Sequence, residues 1–129
     1  VVVRVIGHIS FGVSDVPASQ AFYDAVMPAL GWVRLWTDPA GLGYGPPGGG
    51  EKLNLFAVHE PGVTLAAGPR FHLAFDAPDR DAVHAFHDAA VAHGGASYGP
   101  PGPREHYGPT YYAAFVRDPD GHKLEIVHQ

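Results

Sequence analysis

Residues 8–25, HISFGVSDVPASQAFYDA, lie over residues 72–89, HLAFDAPDRDAVHAFHDA, at a constant offset of 64. Eight of the eighteen positions are identical: His8/His72, Phe11/Phe75, Asp15/Asp79, Ala18/Ala82, Ala21/Ala85, Phe22/Phe86, Asp24/Asp88 and Ala25/Ala89. Gly31 and Gly95 share that offset, and GEKLNLF lies over GHKLEIV at an offset of 71. A long-period self-match restricts the chain to two copies of one supersecondary unit. The change of offset places a longer middle loop, containing GPPGPREHYGP, in the second copy. We expect a single domain over residues 1–129, with one module at about 3–60 and its twin at about 68–129.

Each copy reads as strand, helix and three further strands. VRVIGHISFGV and RFHLAFDA alternate apolar with small or polar residues, the pattern of a strand with one buried face. Residues 15–30 predict a helix with Ser14 or Asp15 as cap, Pro17 in the first turn and Gly31 as the stop. Residues 79–93 predict its twin, capped by Asp79 and ended by Gly94. Extended segments follow at about 32–37, 41–46 and 52–58, then at about 96–98, 110–117 and 122–128. The fold class is therefore α+β, with two tandem βαβββ modules. The chain has 17 Gly and 13 Pro, and the stretches where they cluster, GYGPPGGG and YGPPGPREHYGP, read as loops.

Composition limits the chemistry. Eight Lys and Arg against thirteen Asp and Glu give a net charge of −5 without a basic run, which argues against nucleic acid or an anionic membrane as partner. No apolar stretch approaches a membrane span, and the valine-rich start lacks the features of a signal peptide, so a cytoplasmic location is expected. Without cysteine there is no thiolate ligand or nucleophile, and any metal must sit on histidine and oxygen donors.

Strand parity then sorts the nine histidines. His8 shares a face with Ile6 and Ser10, and His72 with Ala74 and Asp76. Glu125 shares one with Lys123 and Val127, and its twin Asn54 with Lys52 and Phe56. The greasier faces should cover the helices, leaving two histidines, a glutamate and an asparagine at repeat-equivalent places on the other. A single strand histidine is more often a hydrogen-bonded scaffold residue. Two in one register, with a carboxylate that is costly to bury unpaired, make His8, His72 and Glu125 a candidate metal site. His84, His87 and His93 fall on the second helix, and His106 in the long loop is a candidate lid residue.

The segments GHISFGVSDVPASQAFYDAVMPALGW, FHLAF and YYAAFVRDPDGHKLEIV resemble the vicinal oxygen chelate superfamily, which includes glyoxalase I, extradiol dioxygenases, and fosfomycin and bleomycin resistance proteins. The resemblance implies a glyoxalase-like fold, the curved mixed sheets of the two modules enclosing a metal or ligand cavity, and one divalent ion (Fe, Mn, Zn or Ni) held at the positions of His8, Asn54, His72 and Glu125. Asn54 stands where glyoxalase I carries a carboxylate, which leaves a triad of His8, His72 and Glu125. Phe115 stands where extradiol dioxygenases carry a catalytic tyrosine, so their ring-cleavage set is incomplete.

The resemblance therefore implies a metal-dependent lyase, isomerase or dioxygenase-type enzyme acting on a small molecule with vicinal oxygens, glyoxalase-like rather than a complete extradiol dioxygenase, with Glu125 as both ligand and base. Asn54, Phe56, Tyr112 and Phe115, with Trp36 or Tyr44, would contact substrate. The alternative is a metal-free binding or resistance protein whose cavity sequesters an aromatic or cationic molecule, aided by the negative charge. A homodimer is implied by the same resemblance.

Overall fold

The computed structural model describes residues 5–129, and the two halves repeat one another strand for strand. Module one comprises β1 (Ile9–Val13), α1 (Val16–Val26), β2 (Val33–Asp38), β3 (Gly41–Gly45) and β4 (Leu53–Ala57). Module two comprises β5 (Leu73–Asp76), α2 (Arg80–Ala92), β6 (Ala96–Pro103), β7 (Tyr112–Arg117) and β8 (Lys123–His128). The first strand was expected from Val3; Val3 and Arg4 lie outside the described residues, and pairing starts at Ile9.

Both helices start where the sequence signals them. Asp15 accepts a hydrogen bond from the backbone N–H of Ala18 at 3.0 Å, and Asp79 does the same for Ala82 at 2.8 Å. The helix expected over 15–30 changes character at Met27, where residues Met27–Leu30 tighten into a 3-10 turn. Pro28 has no N–H to return to Asp24, so the α ladder cannot continue through it. Gly31, at φ 74°, then turns the chain out of the helix.

The strands form two separate four-stranded sheets, ordered β1-β4-β3-β2 and β5-β8-β7-β6. In each, the last strand of the module inserts beside the first in parallel and the other pairs are antiparallel. The sheets remain distinct rather than joining into one closed wall. β6 runs five residues beyond the expected 96–98, through Pro100, Pro101 and Pro103. It is the edge strand, with an irregular register against β7, and an edge is where a sheet tolerates residues without an N–H.

Helix-facing parity holds in both modules. Val13, Leu42, Tyr44, Leu53 and Leu55 bury against Phe22 and Val26, and Phe75, Val116, Leu124 and Ile126 against Val83, Phe86 and Ala90. Because α1 and α2 lie side by side, these two sets make one continuous core. Each such large apolar side chain contributes about 1.5–3 kcal/mol by burial. Among the described residues, no helix is long and apolar enough to cross a membrane.

The DPDG segment between β7 and β8 forms the expected turn, with Gly121 N–H donating to the Asp118 carbonyl at 2.9 Å. It also ties the modules together. Tyr23 of α1 donates its hydroxyl to the buried Asp118 at 2.7 Å, and His122 Nε2 donates to the Gly12 carbonyl at 2.7 Å. Ser14 donates both its backbone N–H and its hydroxyl to Asp120.

Candidate functional site

On the face of module two turned away from α2, alternate residues of β7 and β8 come into line. Phe115 stands opposite Glu125, and Glu125 opposite Ala74 of β5. His72, just before β5, carries its ring to this row. Its Nε2 lies 2.8 Å from Glu125 Oε1, and the Tyr111 hydroxyl donates to Glu125 Oε2 at 2.5 Å. Burial, and then the hydrogen bond and charge of Glu125, push the Tyr111 hydroxyl up to about 12, so it stays a donor at neutral pH.

Both Glu125 oxygens are thus engaged, and the residue is only 3 % exposed. The His72 side chain is 34 % exposed and lines a cavity of about 650 Å³. A carboxylate that takes a hydrogen on each oxygen puts the imidazole proton on Nε2 and leaves Nδ1 with the ring's free lone pair. Phe115 meets the His72 ring edge-on at 5.6 Å and lines the same cavity with Phe71, Tyr98 and Tyr107.

The corresponding face of module one is filled differently. Trp36 covers Gly43 and donates its indole N–H to Asn54 Oδ1 at 2.9 Å. Phe56, 46 % exposed, stands beside it with ring centroids 5.7 Å apart. His8 is exposed and lines a smaller cavity, about 390 Å³, with Trp32 and residues 73–76.

The expected triad is therefore divided within one chain. His72 and Glu125 meet, whereas His8 lines another cavity. Two imidazoles and a carboxylate suit a divalent ion by type. Among the described residues, however, no three His, Asp or Glu side chains gather into a group that could hold one. Asn54, the fourth position implied by the resemblance, has its oxygen occupied by Trp36. As arranged in a single chain, these residues do not fit a metal centre.

Tyr112 is not at the cavity. It lies on the helix-facing side, bonded to His84 at 2.6 Å and stacked under Arg80 at 4.5 Å. Its neighbour Tyr111 reaches the site instead, and it shares parity with Phe115, a signal readable in the sequence. Tyr44 is fully buried and donates to Asp24, so it forms no part of a ligand wall. His106 is exposed and rests on Tyr107, ring centroids 4.1 Å apart. The cavity wall also holds Arg117 and Lys123, which share parity with Phe115 and Glu125 and were not singled out as site residues.

The sequence matches the family model of the Glyoxalase/Bleomycin resistance protein/Dioxygenase superfamily over residues 5–126. None of the curated proteins matches it. Among solved structures, a glyoxalase/bleomycin resistance protein from Albidiferax ferrireducens is 30 % identical, with a TM-score of 0.75 over 95 % of this chain and 96 % of that one. A glyoxalase I mutant from Zea mays is 26 % identical, with a TM-score of 0.68, over 94 % of this chain and 44 % of that longer one. A glyoxalase-related enzyme from Fulvimarina pelagi, 24 % identical with a TM-score of 0.69 over 98 % of this chain and 89 % of that one, shares the fold. With a family model matched over nearly its full length and the duplicated βαβββ architecture in place, this chain belongs to the Glyoxalase/Bleomycin resistance protein/Dioxygenase superfamily.

Proposed function

We propose that the protein is a lyase- or isomerase-type enzyme that binds a small molecule with neighbouring oxygens in the cavity of module two and moves a proton on it. His72 is the acid–base group. One observation carries this reading: an imidazole at the wall of a 650 Å³ cavity whose far nitrogen is fixed by a buried carboxylate. Glu125 holds His72 through Nε2, Tyr111 holds Glu125, and the free Nδ1 takes or returns the proton. This moves the base from Glu125, as the resemblance implied, to the histidine in front of it. Phe115, packed against the imidazole, limits access of water to the ring.

The test is exchange of carbon-bound hydrogen for deuterium in a panel of small 2-oxo acids and hydroxyketones, followed by NMR in D₂O. The wild type should exchange at least one compound, with loss of about 10²–10⁴-fold in His72→Gln. Undiminished exchange in that variant, or none by the wild type, contradicts the proposal.

A second reading is favoured by the equivalence of His8 and His72 in the repeat. An exposed His8 from one copy could join His72 and Glu125 of another, so that a dimer supplies the three donors of a divalent-ion site. Elemental analysis of untagged protein tests it: stoichiometric metal lost in both His8→Ala and His72→Ala supports the shared site, and protein free of metal speaks against it.

A further inference from the structure

The chain carries a net charge of −5, yet the cavity beside His72 has the opposite character. Its wall includes Arg70, Arg117 and Lys123 and no aspartate or glutamate. On this face Glu125 is already bonded to His72 and Tyr111, and Asp76, two residues beyond Ala74, is not among the residues that line the cavity. Among the described residues, none of the three cations has a carboxylate within ion-pairing distance; the ion pairs formed are Arg34–Asp24, His72–Glu125 and His87–Asp88.

Two of these cations are held by aromatic faces rather than by acids. The Arg117 guanidinium lies 4.3 Å from the Tyr98 ring centroid, and the Lys123 ammonium 4.9 Å from Tyr98 and 5.1 Å from Phe115. A ring face positions a cation without cancelling its charge. A hydrogen bond from Arg117, and then the charges of Arg117 and Lys123, hold the Tyr98 hydroxyl below the ordinary tyrosine value. Cations gathered at a cavity wall with no acid to pair them leave their charge available to an anionic ligand.

We infer that the ligand of this cavity is a small organic anion, with an apolar or aromatic body against Phe115 and Phe71 and a carboxylate or phosphoryl head facing Lys123, Arg70 and Arg117. The inference deepens the proposed function and rests on the same cavity being the ligand site. It reverses the expectation from overall charge that a cationic ligand would be favoured. Lys123 and Arg70 are the freer of the three cations, because Arg117 also donates to the Gly121 carbonyl at 2.8 Å and so holds the inter-module turn.

The experiment is a heteronuclear NMR titration of the whole chain with three probes: phenylglyoxylate, phenylphosphonate and the neutral phenylglyoxylamide. Saturable shifts around His72, Phe115 and Lys123 are expected, with at least one anion binding about tenfold or more tighter than the amide, as expected for a charge-assisted contact. The tighter anion identifies the head group. Lys123→Gln and Arg70→Gln should each weaken that anion about five- to tenfold and leave the amide unchanged. Equal binding of acid and amide, with both lost in Phe115→Ala, overturns anion selection while leaving the cavity as the ligand site. Absence of saturable binding by all three probes overturns the inference and the ligand site together.

Discussion

Trp36 occupies the space above Gly43 that a side chain would need, and its indole N–H is the hydrogen-bond partner of the buried Asn54. The two residues close the face of module one that corresponds to the open one of module two. The modules share a fold, but His72 of module two stands at a cavity of about 650 Å³ with its ring held by a buried carboxylate, whereas His8 of module one lines a smaller cavity of about 390 Å³.

Gly43→Ala should therefore displace the indole and leave Asn54 Oδ1 without its donor. We expect a loss of about 1–3 kcal/mol, read from chemical denaturation. Trp36→Phe should produce a loss of the same order by removing the donor alone. Wild-type stability in both variants would contradict this account of Asn54.

The join between modules makes a second prediction. Tyr23→Phe removes the hydroxyl that Asp118 accepts but leaves Asp118 its bonds from the backbone N–H groups of Asp120 and His122. The expected loss is about 1.5–3 kcal/mol, the range for a hydrogen bond to a charged group. Because the core is continuous across both modules, unfolding should remain a single transition by circular dichroism and by tryptophan fluorescence.

Much of this was legible in the sequence. The 64-residue repeat fixes the element order, the Asp15 and Asp79 caps mark the helix starts, and parity identifies which strand faces are buried. What was missed has physical causes. The extension of β6 is hidden by prolines that only an edge position tolerates. Tyr112, an expected substrate contact, bonds to His84 of α2 while Tyr111 reaches Glu125, because a one-residue difference in a strand reverses the side-chain direction. The separation of His8 from His72 depends on how the modules sit together, and equivalence of register within each module does not determine that.

The tyrosines should titrate in a defined order. Tyr98 should ionise below 10.0, and Tyr111 after it, at about 12. Tyr23 and Tyr44, buried and donating to Asp118 and Asp24, should ionise only on unfolding. Tyrosinate absorbance in Tyr98→Phe and Tyr111→Phe variants assigns these two steps. The raised value of Tyr111 has a defined sign: its stabilising contribution is complete below pH 10.0 and lost as pH climbs through about 12.

His8→Ala should change stability by less than about 0.5 kcal/mol, because the side chain is exposed and outside the His72–Glu125–Tyr111 cluster. Deuterium exchange by the variant should match wild type. Loss of exchange together with loss of bound metal would instead assign His8 to a site shared between two copies.

The central claim is that His72 is held through Nε2 with Nδ1 free to take a proton. The most direct measurement is the imidazole nitrogen NMR spectrum of His72, assigned by comparison with His72→Gln. In the wild type with the ring neutral, Nε2 should be the protonated, pyrrole-type nitrogen and Nδ1 the unprotonated one; Glu125→Gln should disturb that preference. A neutral ring with its proton on Nδ1, or a tautomer indifferent to Glu125→Gln, would contradict the account.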